Sequence, residues 1–184
     1  MKILDIGCGN SKYLAKNAKE MVIGLDSSKL PGVDIVQNLD KTPLPFKKDE
    51  FDMIIASHVL EHISNFVPLI KEMWRITKNK GLIKIKTPFY SSWGQFNDPT
   101  HVRSFTPFTF DYFIGKNNYS HEVKKENEFN FSIKKLRIHF GVGKSKKFNW
   151  LFDPIINLNK KFYCRFFAWI FPAAEIEYEL IVLK

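Results

Sequence analysis

A chain of 184 residues, 45% apolar and 26% charged, has globular composition and about the length of one domain, which excludes a disordered tail. Two cysteines, Cys8 and Cys164, are too few for a disulfide framework or a Cys-rich zinc site, and the longest apolar run, residues 166–171, falls far short of the ~20 residues of a spanning helix. The formal charge of +9 is uneven: residues 1–60 carry 8 basic and 8 acidic side chains, whereas 116–165 carry 12 and 4. That later excess either faces an anionic partner or is a lysine-rich solubilising surface. The opening Met1-Lys2-Ile3-Leu4-Asp5 has no signal-peptide pattern, so the expectation is a cytoplasmic protein, soluble or peripheral to the inner face of a membrane.

In chain order, residues 2–6 form a short strand candidate that runs into Gly7-Cys8-Gly9-Asn10. Residues 11–18 read as a short helix that Asn10 or Ser11 would cap. Strand candidates follow at 21–25, ending in Asp26, and at 35–36, leading to Leu39-Asp40. Pro43 and Pro45 break 41–48 into loop. Residues 51–56 are apolar at nearly every position, as a strand covered on both faces requires. The clearest helix spans 66–77, where Phe66, Leu69, Ile70, Met73, Trp74 and Thr77 recur at helical spacing. Past Gly81, residues 82–87 resume as a strand. Residues 89–107 are a long Ser/Trp/Pro-rich connection of the kind that carries function, and Thr106-Pro107 opens a helix to about Phe113. Residues 129–139 and 176–183 close the pattern. In the last of these, Glu175, Glu177 and Glu179 alternate with apolar neighbours, as in a strand at or near an edge. The two periods alternate over short loops, which predicts an α/β domain with a largely parallel sheet.

The Gly7-Cys8-Gly9 turn lies where glycines let the backbone approach a ligand and a helix N-terminus offers unpaired N–H groups. A dinucleotide site needs a third glycine, and Lys12 stands there. Instead Asp5 precedes the turn and Asp26 ends the second strand. An acid in the latter position suits a ribose diol. Asp5 either favours a cation carried by the ligand or merely caps the glycine turn. A nucleoside with a cationic, amino-acid-bearing tail suits this pattern better than a pyrophosphate.

Five runs, Leu4-Asp5-Ile6-Gly7-Cys8-Gly9, Gly24-Leu25-Asp26, Asn38-Leu39-Asp40, Pro43-Leu44-Pro45-Phe46 and the stretch from Phe51 to His62, follow one another within residues 2–87. Their order and spacing resemble the class I S-adenosylmethionine-dependent methyltransferases, in the branch of the small-molecule methylases. The resemblance implies a Rossmann-like, doubly wound, mostly parallel seven-stranded sheet with an antiparallel last strand. It also implies S-adenosylmethionine as cofactor and a single domain over 1–184, with a cofactor-binding half at 1–87 and a substrate-side half at 88–184. By the same resemblance, Asp5, Gly7, Cys8 and Gly9 surround the methionine part, Asp26 holds the ribose, Leu39 and Asp40 meet the adenine, and Ser57 and His58 close over the methionine end. Local alternatives remain: Leu39 as packing, Asp40 as a turn cap before Pro43, Glu61 as a structural acid and His62 as a packing residue. His58 and His62 are four apart, but the order His-Val-Leu-Glu-His is not a zinc motif, and no metal is expected.

Acceptor chemistry is read from absences and from the long loop. Ser57-His58-Val59 replaces the Asn/Asp-Pro-Pro-Tyr/Phe arrangement that grips a base amine, and no Pro-Cys pair offers a thiolate. Asp98, His101 and Arg103 are the candidate catalytic group, as orienter, base and anion clamp, or else they brace the loop through an Asp98–Arg103 pair. The run Asp98-Pro99-Thr100-His101-Val102-Arg103, followed by Phe105-Thr106-Pro107, is similar to a segment of methyltransferases of glycan and cell-surface biosynthesis. The acceptor is accordingly expected to be a small molecule or a glycan- or lipid-linked group methylated at oxygen; RNA, or a non-catalytic cofactor-binding subunit, is the alternative. Residues 150–171 hold eight aromatics among Lys160, Lys161 and Arg165. They serve as a lid packed on the sheet or over the acceptor, as a homodimer interface, as a peripheral membrane contact, or as a stacking surface for single-stranded nucleic acid. The helix that precedes the first strand in the resembled family is missing here, so this segment or a second subunit is expected to cover the surface it leaves.

Overall fold

A computed structural model describes residues 1–114 and 130–184. Its strands are β1 (Lys2–Ile6), β2 (Met21–Asp26), β3 (Ile35–Val36), β4 (Phe51–Ser57), β5 (Thr77–Pro88), β6 (Asn130–His139) and β7 (Glu175–Leu183). They form one sheet in the order β3-β2-β1-β4-β5-β7-β6. The first five pair in parallel, and β7 enters antiparallel between β5 and β6. Across four strands, Leu4, Ile54, Ile83 and Leu180 share one row, and Ile6, Ala56, Ile85 and Tyr178 share another; all are buried.

Helix α1 (Phe66–Ile76) joins this core through Phe66, Leu69, Ile70, Met73 and Ile76, the helical spacing anticipated from sequence. Its entry is fixed from outside: Asp40 Oδ1 accepts the Asn65 N–H at 2.8 Å, and Asn65 Nδ2 donates to the Asp40 carbonyl. The helix stops at Thr77, whose hydroxyl donates to the Met73 carbonyl at 2.6 Å. Strand β5 begins at that residue, because Thr77 already pairs with Phe51 ahead of an irregularity in register. The strand is therefore longer than residues 82–87.

The opposite sheet face differs. No helix forms between β1 and β2 or between β2 and β3. The helix expected at 11–18 is absent: the Tyr13 N–H goes to Asp5 and the Lys16 N–H to Glu20, each at 2.7 Å, and Leu14 is left exposed. The β7 acids mark this open face, on a strand one in from the sheet edge, near the edge as expected. Lysines on both neighbouring strands neutralise them, with Lys84–Glu179 at 3.8 Å, Lys86–Glu175 at 3.7 Å and Lys135–Glu177 at 3.0 Å. The helix expected from Pro107 is a single 3-10 turn, Thr109–Tyr112, with the Thr106 hydroxyl accepting the Phe108 N–H. The closing strand expected at 129–139 begins at Asn130; Phe129 lies outside the described residues.

β6 is an edge strand among the described residues, and side chains bond its C-terminal end and the residues just past it. Among the described residues, the α-helices after α2 (Trp93–Asn97) are α3 (Asn149–Leu158) and α4 (Lys160–Phe166). Along α3, Asn149, Asp153 and Asn157 stand four apart and bond the edge backbone. Asn157 brackets Ile138 at 2.7 and 2.9 Å, Asp153 accepts the Phe140 N–H at 2.8 Å, and Asn149 brackets Gly141 at 2.8 and 3.0 Å. Asn157→Ala leaves both Ile138 backbone groups unpaired, an expected loss of about 2 kcal/mol. Thermal unfolding should then show Tm lower by about 4–8 °C; an unchanged Tm would mean that water replaces the bracket.

Candidate active site

The turn after β1 is set by sterics. Gly7 and Gly9 hold φ of +63° and +50°, the left-handed region that favours glycine. At Gly7 a Cβ would also lie 2.3 Å from Val59 Cγ2. The turn is tied to β2, since the Gly7 N–H donates to the Leu25 carbonyl at 2.7 Å and the Gly9 N–H to Asp26 Oδ2 at 2.9 Å. No helix follows it, so the expected helix N-terminus is not part of the site.

Two clefts meet at Gly7. One, of about 360 Å³, is lined by Asp26, Ser27, Asn38, Leu39, Asp40, His58 and His62 among others. The other, of about 410 Å³, lies on the open sheet face between Asp5, Cys8, Ser57 and Tyr13 on one side and Lys84, Lys86 and Glu177 on the other. Asp26 turns toward the first cleft while its two oxygens hold Gly9 and Ser28 N–H groups, leaving acceptor capacity for a ligand. Asp40 anchors α1 and does not cap a turn before Pro43. Leu39 is both core and cleft wall. Burial raises the Asp5 pKa, against the Tyr13 N–H and Lys12, which lower it. Burial, with Asp5 and Asp26 adding, pushes the Cys8 thiol up to about 11, so it stays protonated near neutrality.

His58 is on the Asp26 side, beside the first cleft, not with Ser57 in the second. It is not helical; its φ is +52°. Its Nε2 lies 2.8 Å from Glu175 and its Nδ1 3.5 Å from Glu61. The Glu175 hydrogen bond, then Glu61, raises its pKa to about 9, against burial. Burial alone would raise Glu175, but His58 and Lys86 outweigh it and hold that carboxyl low. The imidazolium therefore stabilises the fold fully below about pH 6.5, and that contribution disappears as pH rises through about 9. With the side chain half exposed, screening limits the effect to about 1 kcal/mol. Urea unfolding across this range should show stability falling with pH, and His58→Asn, which tolerates the positive φ, should remove the slope.

Asp98, His101 and Arg103 line neither cleft. Asp98 accepts the N–H and hydroxyl of Thr100 in its own turn, His101 Nδ1 lies 2.9 Å from the Gln95 carbonyl, and the Arg103 guanidinium stacks on Phe66 at 4.5 Å. Among the described residues no Asp98–Arg103 ion pair forms, and His101 Nε2 is 4.0 Å from Asp98. His101 instead packs edge-on against His62, whose Nδ1 lies 2.8 Å from the Thr100 hydroxyl. The loop is thus braced against the segment after β4. Sequence reasoning missed this, as it missed Glu175 beside His58 and the Lys84, Lys86 and Glu177 wall; only the register of β5 and β7 brings those together. One donor atom each from Glu61, His62 and His101 lies within 4.8 Å of the others, although one nitrogen of each histidine is already engaged.

A Rossmann-like sheet with a glycine turn after β1 and an acid at the end of β2 defines a nucleoside-binding α/β domain. Residues 4–85 match the family model described as a methyltransferase domain, and the match supports a class I S-adenosylmethionine-dependent methyltransferase with S-adenosylmethionine as cofactor. It is similar to a probable tRNA methyltransferase 9B of Homo sapiens, 37% identical over 93 residues, which are 45% of this chain and 20% of that protein. An uncharacterised protein of Methanocaldococcus jannaschii is 30% identical over 119 residues, 56% of this chain and 52% of its own length. The demethylmenaquinone methyltransferase of Staphylococcus carnosus is 31% identical over 98 residues, 44% of this chain and 40% of that protein. The chain thus spans about half or less of the curated relatives it matches. A crystal structure of an S-adenosylmethionine-dependent methyltransferase from Archaeoglobus fulgidus shares the fold, with TM-score 0.64 and 17% identity over 98% of this chain and 85% of that one.

Proposed function

We propose that the chain transfers the methyl group of S-adenosylmethionine to an oxygen of a small-molecule or glycan- or lipid-linked acceptor. The observation that carries this reading is the pair of clefts meeting at Gly7, one walled by Asp26, Leu39 and Asp40, the other by Asp5, Cys8 and Ser57. In this reading Asp26 accepts the ribose hydroxyls, Leu39 and Asp40 meet the adenine, and the Gly7–Gly9 turn with Asp5 holds the amino-acid end. The cofactor supplies an electrophilic methyl group on a sulfonium, and the chain's task is to hold the acceptor in line and exclude water. His58, an imidazolium at neutral pH, is a fixed positive charge and not a base. His101, Asp98 and Arg103 hold the 89–107 loop in place and act as positioning residues. Oxygen is favoured because the amine-gripping run is missing; with His58 and His101 engaged by Glu175 and the Gln95 carbonyl, a hydroxyl acceptor releases its proton to solvent at the cleft mouth.

A second reading is RNA methylation, favoured by the similarity to a probable tRNA methyltransferase and by the basic later segment. The family match ends at residue 85, ahead of the acceptor loop, so it carries no information about what the loop admits. Incubation with methyl-labelled S-adenosylmethionine and fractionated cell extract separates the two. Label in solvent-extractable or small-molecule fractions supports the proposal, and label in nuclease-sensitive material overturns its acceptor class.

A further inference from the structure

Helix α3 is inside out. Its polar stripe, Asn149, Asp153 and Asn157, is spent on the edge of β6, so its apolar stripe faces solvent. Trp150, Leu151, Ile155 and Leu158 recur at helical spacing on that outer side, Trp150 at 77% and Leu158 at 88% exposure. Helix α4 continues the surface: Phe162 and Phe166 are exposed beside Lys161 and Arg165. Trp169 and Ile170 follow, and Trp169 packs edge-on against Tyr90 and tilted against Phe96, which joins this surface to the loop beyond β5. The lid expected from residues 150–171 is therefore not packed down; chiefly Tyr163 and Ile156 reach the core. An apolar cleft of about 380 Å³ opens between α3 and α4.

We propose that this surface lies on an anionic lipid bilayer. Residues 140–171 carry six basic side chains (Lys144, Lys146, Lys147, Lys160, Lys161 and Arg165) and one acid, Asp153, which is buried against His139. Apolar side chains at an acyl boundary with lysines at the headgroup level are the composition of an interfacial helix. A second copy of the chain would set six cations against six. The outward stripe is largely aliphatic on α3, and aliphatic side chains offer no plane for base stacking, so RNA fits it less well. No helix among the described residues is long and apolar enough to cross a membrane, so the contact lies on the surface.

Flotation of the full chain with phosphatidylcholine vesicles, with and without phosphatidylglycerol, tests this without any cofactor or acceptor. The expected result is binding only when phosphatidylglycerol is present. Lys146→Gln with Lys147→Gln should weaken it about thirty-fold, from about 1 kcal/mol per basic residue near an anionic surface. Trp150→Ser with Leu158→Ser should abolish it, while circular dichroism and thermal unfolding stay those of the parent. Equal binding to both vesicles, no binding to either, a dimer in sedimentation velocity that the Trp150/Leu158 variant dissociates, or retention on single-stranded RNA alone would each overturn the proposal.

Discussion

Gly7→Ala should destabilise the chain by about 3 kcal/mol, seen as a Tm lower by about 6–12 °C. Two costs add. A non-glycine residue at φ +63° costs about 1–2 kcal/mol, and the new methyl would sit 2.3 Å from Val59 Cγ2 in the packed segment after β4. Gly9→Ala is the internal control. It has a similar φ of +50° but meets no atom within 4 Å, so only the backbone cost of about 1–2 kcal/mol remains. The difference between the two variants measures the contact with Val59. Equal losses would show that the segment after β4 yields and that the two clefts do not share a rigid partition.

Asp26→Ala should lower the affinity for S-adenosylhomocysteine about ten- to hundredfold in titration calorimetry. Hydrogen bonds from a ligand to a carboxylate contribute about 1.5–3 kcal/mol. Asp26 also fixes the Gly9 and Ser28 N–H groups at 2.9 and 3.0 Å, so its removal loosens the turn as well as the sugar contact. A structural role alone would lower Tm and leave affinity unchanged. Loss of affinity with little change in Tm is the outcome that marks a ligand-binding acid.

How much of this was legible in the sequence depends on the range of the interaction. Strands β1, β2 and β4 and helix α1 came within a residue or so of their bounds, because period and burial are local properties. Asp5 and Asp26 were legible as acids beside the glycine turn, and each lines one of the two clefts. The helix expected at 11–18 does not form, since the Tyr13 and Lys16 N–H groups found carboxylates at Asp5 and Glu20 and Leu14 stays exposed. The β7 acids carried the correct alternation and the near-edge position, one strand in from β6, but not that lysines on β5 and β6 would pair with them. Glu175 and His58 are 117 positions apart, and only the antiparallel insertion of β7 brings them to 2.8 Å. Asn149, Asp153 and Asn157 were not singled out, because polar residues four apart read as an ordinary solvated face until a strand edge is there to meet them.

The central claim is that the clefts at Gly7 hold an adenosine joined to a methionine-derived tail. Calorimetric titration of the unmodified chain with S-adenosylhomocysteine, followed by NADH on a fresh sample, tests it directly. The account predicts saturable one-to-one binding at micromolar strength for the first ligand and no measurable heat for the second. No binding of S-adenosylhomocysteine, or equal binding of both, would contradict it.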